Sequence, residues 1–112
     1  MLKENVHEID TITDITNRII ETVHPQKVIL FGSFARGEDT KESDYDLFIL
    51  ADDIDNDGFK AQWKKARKSF RGFIHRDVDM IFNTPKKFDS NKECHACISY
   101  YADKEGVVLY ES

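Results

Sequence analysis

Hydrophobic and polar positions at the start of the chain recur with the spacing of a helix. Five apolar residues between Asp10 and Val23 fall on one helical face: Ile12, Ile15, Ile19, Ile20 and Val23. Thr11 and Asp14 have the spacing of a capping box, which predicts that the helix starts beside them. Pro25 is expected to end it, because the residue before a proline is biased away from helical geometry.

Short apolar runs later in the chain predict strands rather than helices. The runs 28–31 and 45–50 are continuous and apolar, the first ending at Gly32-Ser33 and the second at an acidic loop over 52–58. A third run, 78–82, and a closing run, 107–110, have the same character. We therefore expect four strands.

Two further helices are predicted between these strands. The first has an aromatic stripe expected to face the core, with Gly72 at its end; the stripe comprises Phe59, Trp63, Ala66, Phe70 and Phe73. Thr84-Pro85 is a turn or helix-start signal.

The last helix is expected after Ser90 and Glu93, which have capping-box spacing, and before Gly106 in the C-terminal cap. Its predicted buried stripe comprises Cys94, Cys97, Ile98 and Tyr101. The pair Cys94 and Cys97 has a metal-like spacing, but a single pair on a helix favours core packing. The order helix, strand, strand, helix, strand, helix, strand predicts one compact α and β domain over residues 1–112.

Composition limits the class of protein. The chain has 112 residues, of which 40% are apolar and 33% charged, as expected of a soluble domain with one modest core. It has no run of roughly 18 to 20 apolar residues, the length a membrane span needs, and residues 1–10 mix charged with apolar residues, so neither membrane insertion nor secretion is expected. Two cysteines are too few for a disulfide scaffold, so a cytoplasmic setting is expected.

Charge is distributed unevenly. The net charge is -5, yet residues 59–76 contain 7 basic residues and no acidic one. An acidic chain disfavours direct nucleic-acid binding over a broad surface. The basic side chains Lys60, Lys64, Arg67, Lys68 and Arg71 share one side of the predicted helix. They form a solvated face, or they contact a triphosphate, RNA or an acidic partner protein, and the sequence leaves these alternatives open.

The candidate chemistry is carried by two aspartates at the start of the second strand. Asp44 and Asp46 are two residues apart, so their side chains project to the same face of a strand with about 6.6 Å between Cα atoms. Tyr45 and Leu47 then face the opposite side. Carboxylates are the ligands Mg²⁺ prefers, together with phosphate oxygens and water, so the pair predicts a metal site.

The Gly32-Ser33 turn has the properties of a phosphate-binding element. Gly32 has no side chain to obstruct a phosphate, and Ser33 offers a hydroxyl and a backbone N–H. A helical turn over 34–37 would direct further N–H groups toward the same anion. Arg36 either reaches the phosphate or pairs with a local acid such as Glu38.

A third carboxylate is available on the third strand. Asp77 and Asp79 share a face there, and Asp79 lies deeper in the strand. Asp79 is the preferred residue to share a metal and to accept the proton of an attacking hydroxyl, with Asp77 as the alternative. Because three neighbouring carboxylates repel one another, the stability of the chain is expected to depend on metal.

Together these residues resemble the minimal nucleotidyltransferase (MNT) family of the DNA polymerase β-like superfamily. The Gly-Ser, ten intervening residues and Asp-x-Asp match its signature, Val78-Asp79-Met80-Ile81 resembles its third-aspartate strand, and the segment 105–111 resembles its usual ending. The resemblance implies an α+β fold with a mixed sheet flanked by helices. It also implies Mg²⁺, with two ions bound by Asp44, Asp46 and Asp79, and a nucleoside triphosphate held by Gly32, Ser33 and Arg36.

The function implied by this resemblance is transfer of AMP from ATP to a hydroxyl group. MNT proteins are often antitoxins that bind a helical HEPN ribonuclease toxin and in some systems attach AMP to its tyrosine. A non-catalytic module that neutralises its partner sterically is the alternative. Transfer to a small molecule is a third possibility, which the short chain disfavours because little length remains for an acceptor pocket.

Overall fold

The computed structural model describes residues 6–52, 59–72, 76–94 and 98–112. Within these ranges the elements follow the order α1 (Val6–Val23), β1 (Lys27–Phe31), α2 (Gly32–Arg36), β2 (Tyr45–Leu50), α3 (Lys60–Phe70), β3 (Val78–Asn83), α4 (Pro85–Asn91), α5 (Ile98–Glu105) and β4 (Val107–Glu111). The four predicted strands are therefore confirmed, each to within one residue at either end.

The strands form one mixed sheet in the order β3-β2-β1-β4. β1 is antiparallel to both β2 and β4, whereas β2 is parallel to β3. A parallel pair needs a crossover connection, which α3 supplies. The predicted α+β class, with a mixed sheet flanked by helices, is confirmed.

Each face of the sheet is covered by a separate apolar cluster. On one face, α1 and α3 pack against alternate residues of the strands, and Ile15, Ile19, Phe70, Tyr45 and Leu47 are nearly or fully buried. On the other face, Phe48 packs with Phe88 of α4 and Ala102 of α5. The strand residues of the second face also include the aspartates, so α4 and α5 cover only part of it.

The first helix begins earlier than the capping-box pattern predicted. α1 starts at Val6, which places Thr11 and Asp14 inside the helix, so the predicted start at these residues is wrong. Residues 6–10 contain neither proline nor glycine, and nothing in them stops the helix from extending by a turn.

One helix was predicted between β3 and β4, and the structure has two, the first of which begins at the Thr84-Pro85 signal. Thr84 caps α4, its Oγ1 accepting a hydrogen bond from the Lys87 N–H at 3.1 Å, and Pro85 occupies the first turn. Ser90 lies near the end of α4 and its Oγ donates to the Lys86 carbonyl, so it does not cap the following helix. α5 then ends at Glu105, directly before Gly106, as expected.

Two side chains expected in the core are exposed. Trp63 of α3 is 42% exposed, while its helix neighbours Phe59, Ala66 and Phe70 are buried as predicted. The apolar stripe of α3 extends past the outer edge of the sheet, because β3 is the edge strand, and Trp63 is therefore left uncovered. Cys94 is also exposed, since it follows α4 in a turn instead of lying on a helix. Phe73, Cys97 and the side chains of Ile98 and Tyr101 lie outside the described part.

None of the helices in the described ranges is long and apolar enough to cross a membrane.

Candidate functional site

The parallel pairing of β2 with β3 brings the predicted carboxylates onto one face of the sheet. Asp46 is the register partner of Asp79, and partners in neighbouring strands point to the same side. Asp44 lies directly before β2, close enough to Asp46 to raise its pKa, whereas Asp77 lies directly before β3 and pairs with Arg67 of α3. Tyr45 is fully buried on the opposite face, as predicted. The acidic site is thus set by strand register.

Gly32 lies directly against the Asp46 carboxylate. An added Cβ at Gly32 would collide with Asp46 Oδ2, and the Gly32 φ of +75° is a conformation that side-chain-bearing residues rarely adopt. β1 ends at Phe31, the register partner of Asp46 on the side opposite Asp79. The position therefore requires glycine both for the turn and for the close approach.

The predicted helical turn after this glycine is confirmed, although it begins at Gly32 itself. α2 covers Gly32–Arg36 and ends at Gly37, whose φ is +73°. Ser33 is half-buried in the first turn, next to the glycine that touches Asp46. Phe34 is fully buried and packs on Tyr45 with ring centroids 4.9 Å apart, which fixes α2 onto the start of β2.

The electrostatic environment of Asp46 disfavours its charge. Partial burial, together with the nearby carboxylates of Asp79 and Asp44, raises the pKa of Asp46 from 3.8 to about 6. Arg36 opposes this shift. The site consequently carries an excess of negative charge that a cation would relieve.

Arg36 pairs with acidic residues in the structure. Its Nε donates to Glu38 Oε1 at 2.8 Å, and its Nη1 lies 3.8 Å from Glu105 Oε1. Of the two alternatives left open by the sequence, the local pairing with Glu38 is the one observed. The guanidinium is nevertheless close enough to lower the pKa of Asp46.

The two candidate third carboxylates have different surroundings. Asp77 Oδ1 lies 3.7 Å from Arg67 Nη2, whereas Asp79 is exposed and forms no ion pair within the described residues. Asp79 also faces Asp46 in register. These observations favour Asp79 over Asp77 as the residue available to a ligand.

The Arg76 side chain links the loop before β2 to Phe34 of α2, and the sequence pattern did not identify it. Its Nη1 donates to three backbone carbonyls of the loop before β2, those of Thr40 at 2.7 Å, Lys41 at 3.1 Å and Ser43 at 2.9 Å. The guanidinium also stacks over the Phe34 ring, 5.0 Å from its centroid. Because its partners are backbone atoms, no pattern of side-chain types reveals this role.

The carboxylate ligands suit a hard cation whose coordination shell is completed by other ligands. In the described ranges, no three His, Cys, Asp or Glu side chains are grouped closely enough to hold a metal by themselves. Mg²⁺ is commonly bound by one or two carboxylates, with phosphate oxygens and water completing the shell. Asp46 beside Asp79, with a glycine cradle at Gly32, matches that requirement.

Comparison with known proteins agrees with the fold. The sequence model of the family described as "Polymerase beta, Nucleotidyltransferase" matches residues 13–112. The match spans α2, β2 and β3, and so contains all the site residues described above. The chain therefore belongs to the polymerase β-type nucleotidyltransferase family.

Two solved structures share the fold. One is a protein from Sulfolobus solfataricus described as a candidate nucleotidyltransferase, with a TM-score of 0.66, 18% identity, and coverage of 98% of this chain and 86% of that one. The other is a toxin-antitoxin with AMP-PNP, with a TM-score of 0.55, 22% identity, and coverage of 89% and 73% respectively. No curated protein sequence matches the chain.

Proposed function

We propose that the chain is a Mg²⁺-dependent nucleotidyltransferase that transfers AMP from ATP to a tyrosine hydroxyl of a partner HEPN-type toxin and thereby acts as an antitoxin. The observation that carries the proposal is the alignment of Asp46 with Asp79 beside the Gly32 turn. Membership of the nucleotidyltransferase family supports the reaction class. The shared fold with a toxin-antitoxin with AMP-PNP supports the partner and the nucleotide.

In the proposed reaction the acceptor oxygen attacks the α-phosphorus of ATP. A new P–O bond forms, the bond to pyrophosphate breaks, and the hydroxyl proton passes to the Asp79 carboxylate. Ser33 and the backbone around Gly32 hold the triphosphate so that the acceptor and leaving oxygens are in line. Asp44, Asp46 and Asp79 would hold two Mg²⁺ ions, which when bound neutralise the charge that develops on the phosphoryl oxygens.

The proposal is tested by incubating the chain with α-labelled ATP, Mg²⁺ and the protein encoded beside it. We expect label on the partner from the parent chain, and a loss of about 10²-fold or more in the Asp79→Asn variant, since a positioned base contributes that factor. Asp77→Asn is the matched control, because Asp77 pairs with Arg67 and should be dispensable. If Asp77→Asn is the damaging change instead, the roles of the two residues are exchanged.

The same experiment separates catalysis from steric neutralisation. An Asp44→Asn, Asp46→Asn double variant is expected to lose both label transfer and protection against the toxin. If it neutralises the partner as well as the parent chain does, the chain acts as a binding module and the enzymatic proposal is wrong.

A further inference from the structure

A groove runs between α3 and the outer edge of β3, on the side of the sheet opposite the carboxylates. It encloses about 450 Å³ and is lined by Phe59, Lys60, Trp63, Lys64, Met80 and Phe82. Phe59 and Phe82 stack with ring centroids 5.5 Å apart and form its floor. Trp63, the only tryptophan of the chain, is 42% exposed here. The groove is therefore apolar inside and basic at its rim.

The backbone of β3 is available for pairing along this groove. Asp77 and Asn83 carbonyls accept from Tyr45 and Ala51, so the alternate residues, Met80 and Phe82, direct their N–H and C=O groups away from β2. In the part of the chain that the structure describes, no strand pairs with this outer side. Such an edge is a template for an additional strand.

The groove adjoins a second depression, at the start of β3, that reaches part of the candidate active site. Trp63 also lines a depression of about 270 Å³ that contains Asp44, Asp77 and Asp79. An extended segment lying along β3 would thus reach the carboxylates at the start of the strand without leaving the protein surface.

We propose that this groove docks an extended, acidic segment of a partner protein, which pairs with the edge of β3 and places apolar side chains against Trp63. The charge of α3 determines the chemistry of the occupant, because Lys60 and Lys64 at the rim belong to a helix without a single acidic residue. The strand edge at Met80 and Phe82, unpaired within the described residues, favours a polypeptide over RNA, because a nucleic-acid strand lacks the regularly spaced N–H and C=O groups that extend a sheet. In the setting of the proposed function, on which this step rests, the segment carries the acceptor hydroxyl.

The test is selection of a random twelve-residue peptide display library on the full chain without ATP. We expect enriched peptides in which Asp or Glu alternates with apolar residues. Binding of a selected, labelled peptide, followed by anisotropy, should weaken about fivefold or more in Lys64→Glu, because charge complementarity is reversed at the rim. Lys65→Glu is the matched control, as Lys65 is exposed on the same helix outside the groove, and its affinity should be unchanged.

Two further arms make the outcome decisive. The peptide should alter the Trp63 fluorescence of the parent chain. Backbone N-methylation of the peptide should abolish binding, because the proposed mode requires the peptide N–H groups to pair with β3. Failure to enrich any peptide, or equal effects of Lys64→Glu and Lys65→Glu, would overturn the proposal. Lys64-dependent binding of a twelve-nucleotide RNA, with no peptide enriched, would reassign the surface to nucleic acid.

Label transfer to the partner is measured in parallel, so that the two proposals can fail separately. Transfer that is unaffected by Lys64→Glu leaves the enzymatic function intact and removes the docking groove. Peptide binding without any label transfer keeps the groove and removes the enzymatic function.

Discussion

At the scale of single residues, Gly32 is the most constrained position of the site. An alanine there would adopt an unfavourable positive φ, and its Cβ would collide with Asp46 Oδ2. We expect Gly32→Ala to lower the free energy of unfolding by about 1–3 kcal/mol from backbone strain, with a similar amount from overpacking. Chemical denaturation of the two proteins measures the difference.

Gly72→Ala is the matched control for this change. Gly72 has a φ of +89°, but an added Cβ would meet no atom within 4 Å. The variant therefore carries the backbone strain without the collision, and it should be less destabilised than Gly32→Ala. Equal losses in the two variants would mean that the contact with Asp46 has no energetic consequence.

The raised pKa of Asp46 should make the protein less stable as the pH rises, which is the opposite of the usual effect of a carboxylate. Its pKa is raised from 3.8 to about 6 in the folded state, so between about pH 4 and pH 6 the folded chain binds more protons than the unfolded chain. Stability from this group is fully present below pH 4 and is lost as the pH rises through 6. We expect Asp46→Asn to be more stable than the parent above pH 6, by about 1 kcal/mol after allowance for solvent screening.

The measurement is the unfolding free energy of both proteins at a series of pH values from 4 to 8, without divalent cations. The difference between Asp46→Asn and the parent should widen between pH 4 and 6 and then level off. Asp10→Asn, which removes an exposed carboxylate from α1, should follow the parent. A parent whose stability rises through this window relative to Asp46→Asn would contradict the assignment.

At the scale of elements, Arg76 holds the loop that joins α2 to β2. Three carbonyls accept from one nitrogen, Nη1, and the guanidinium also stacks on Phe34. We expect Arg76→Lys to destabilise the fold by about 0.5–1.5 kcal/mol, because a lysine cannot reproduce both the stacking on Phe34 and the hydrogen bonds to the largely exposed carbonyls.

If the loop positions Asp44 for a metal, Arg76→Lys should also raise the Mg²⁺ concentration needed for half-maximal label transfer. A purely structural role would lower the amount of folded enzyme without changing that concentration. Arg71→Lys is the control, since Arg71 is exposed after α3 and should change neither quantity. Unchanged stability and unchanged Mg²⁺ dependence in Arg76→Lys would remove Arg76 from the site.

Elements were predictable where local signals and burial agree. Strands 45–50 and 78–82 are largely apolar runs that form neighbouring strands of the sheet, and their sequence alone identifies them within a residue. Helix starts were less predictable, because the side-chain spacing at Thr11 and Ser90 has the form of a cap without being one. A cap exists only where the preceding residue leaves the helix, and that depends on the chain around it.

The same contrast applies to burial and to the site. Trp63 continues the apolar stripe of α3, but whether it is covered depends on the width of the sheet, which is a property of the topology. The alternation of Asp44 and Asp46 was predictable from strand geometry alone. Asp79 was the preferred third carboxylate, but its exact register opposite Asp46 and the contacts of Arg76 were not predictable, because they require the pairing of β2 with β3.

At the scale of the whole molecule, the fold concentrates negative charge at the starts of β2 and β3, beside the Gly32 turn. Asp44, Asp46 and Asp79 lie on one face, and their mutual repulsion opposes folding when no cation is present. A ligand that binds only the folded chain stabilises it in proportion to the logarithm of its concentration. Mg²⁺ with a non-hydrolysable ATP analogue should therefore raise the unfolding free energy by about 2.7 kcal/mol at 100 times its dissociation constant.

This stabilisation should itself depend on pH, because a protonated Asp46 is a poor ligand for Mg²⁺. With the pKa of Asp46 near 6, the increment from Mg²⁺ and the analogue is expected to be large at pH 7.5 and small at pH 5. The Asp44→Asn, Asp46→Asn variant should lose the increment at both values, whereas Asp10→Asn should retain the behaviour of the parent. Thermal unfolding of the three proteins, with and without Mg²⁺, checks this. An increment that survives in the double variant would place the cation elsewhere on the molecule, and the carboxylates of β2 would then have no part in binding it.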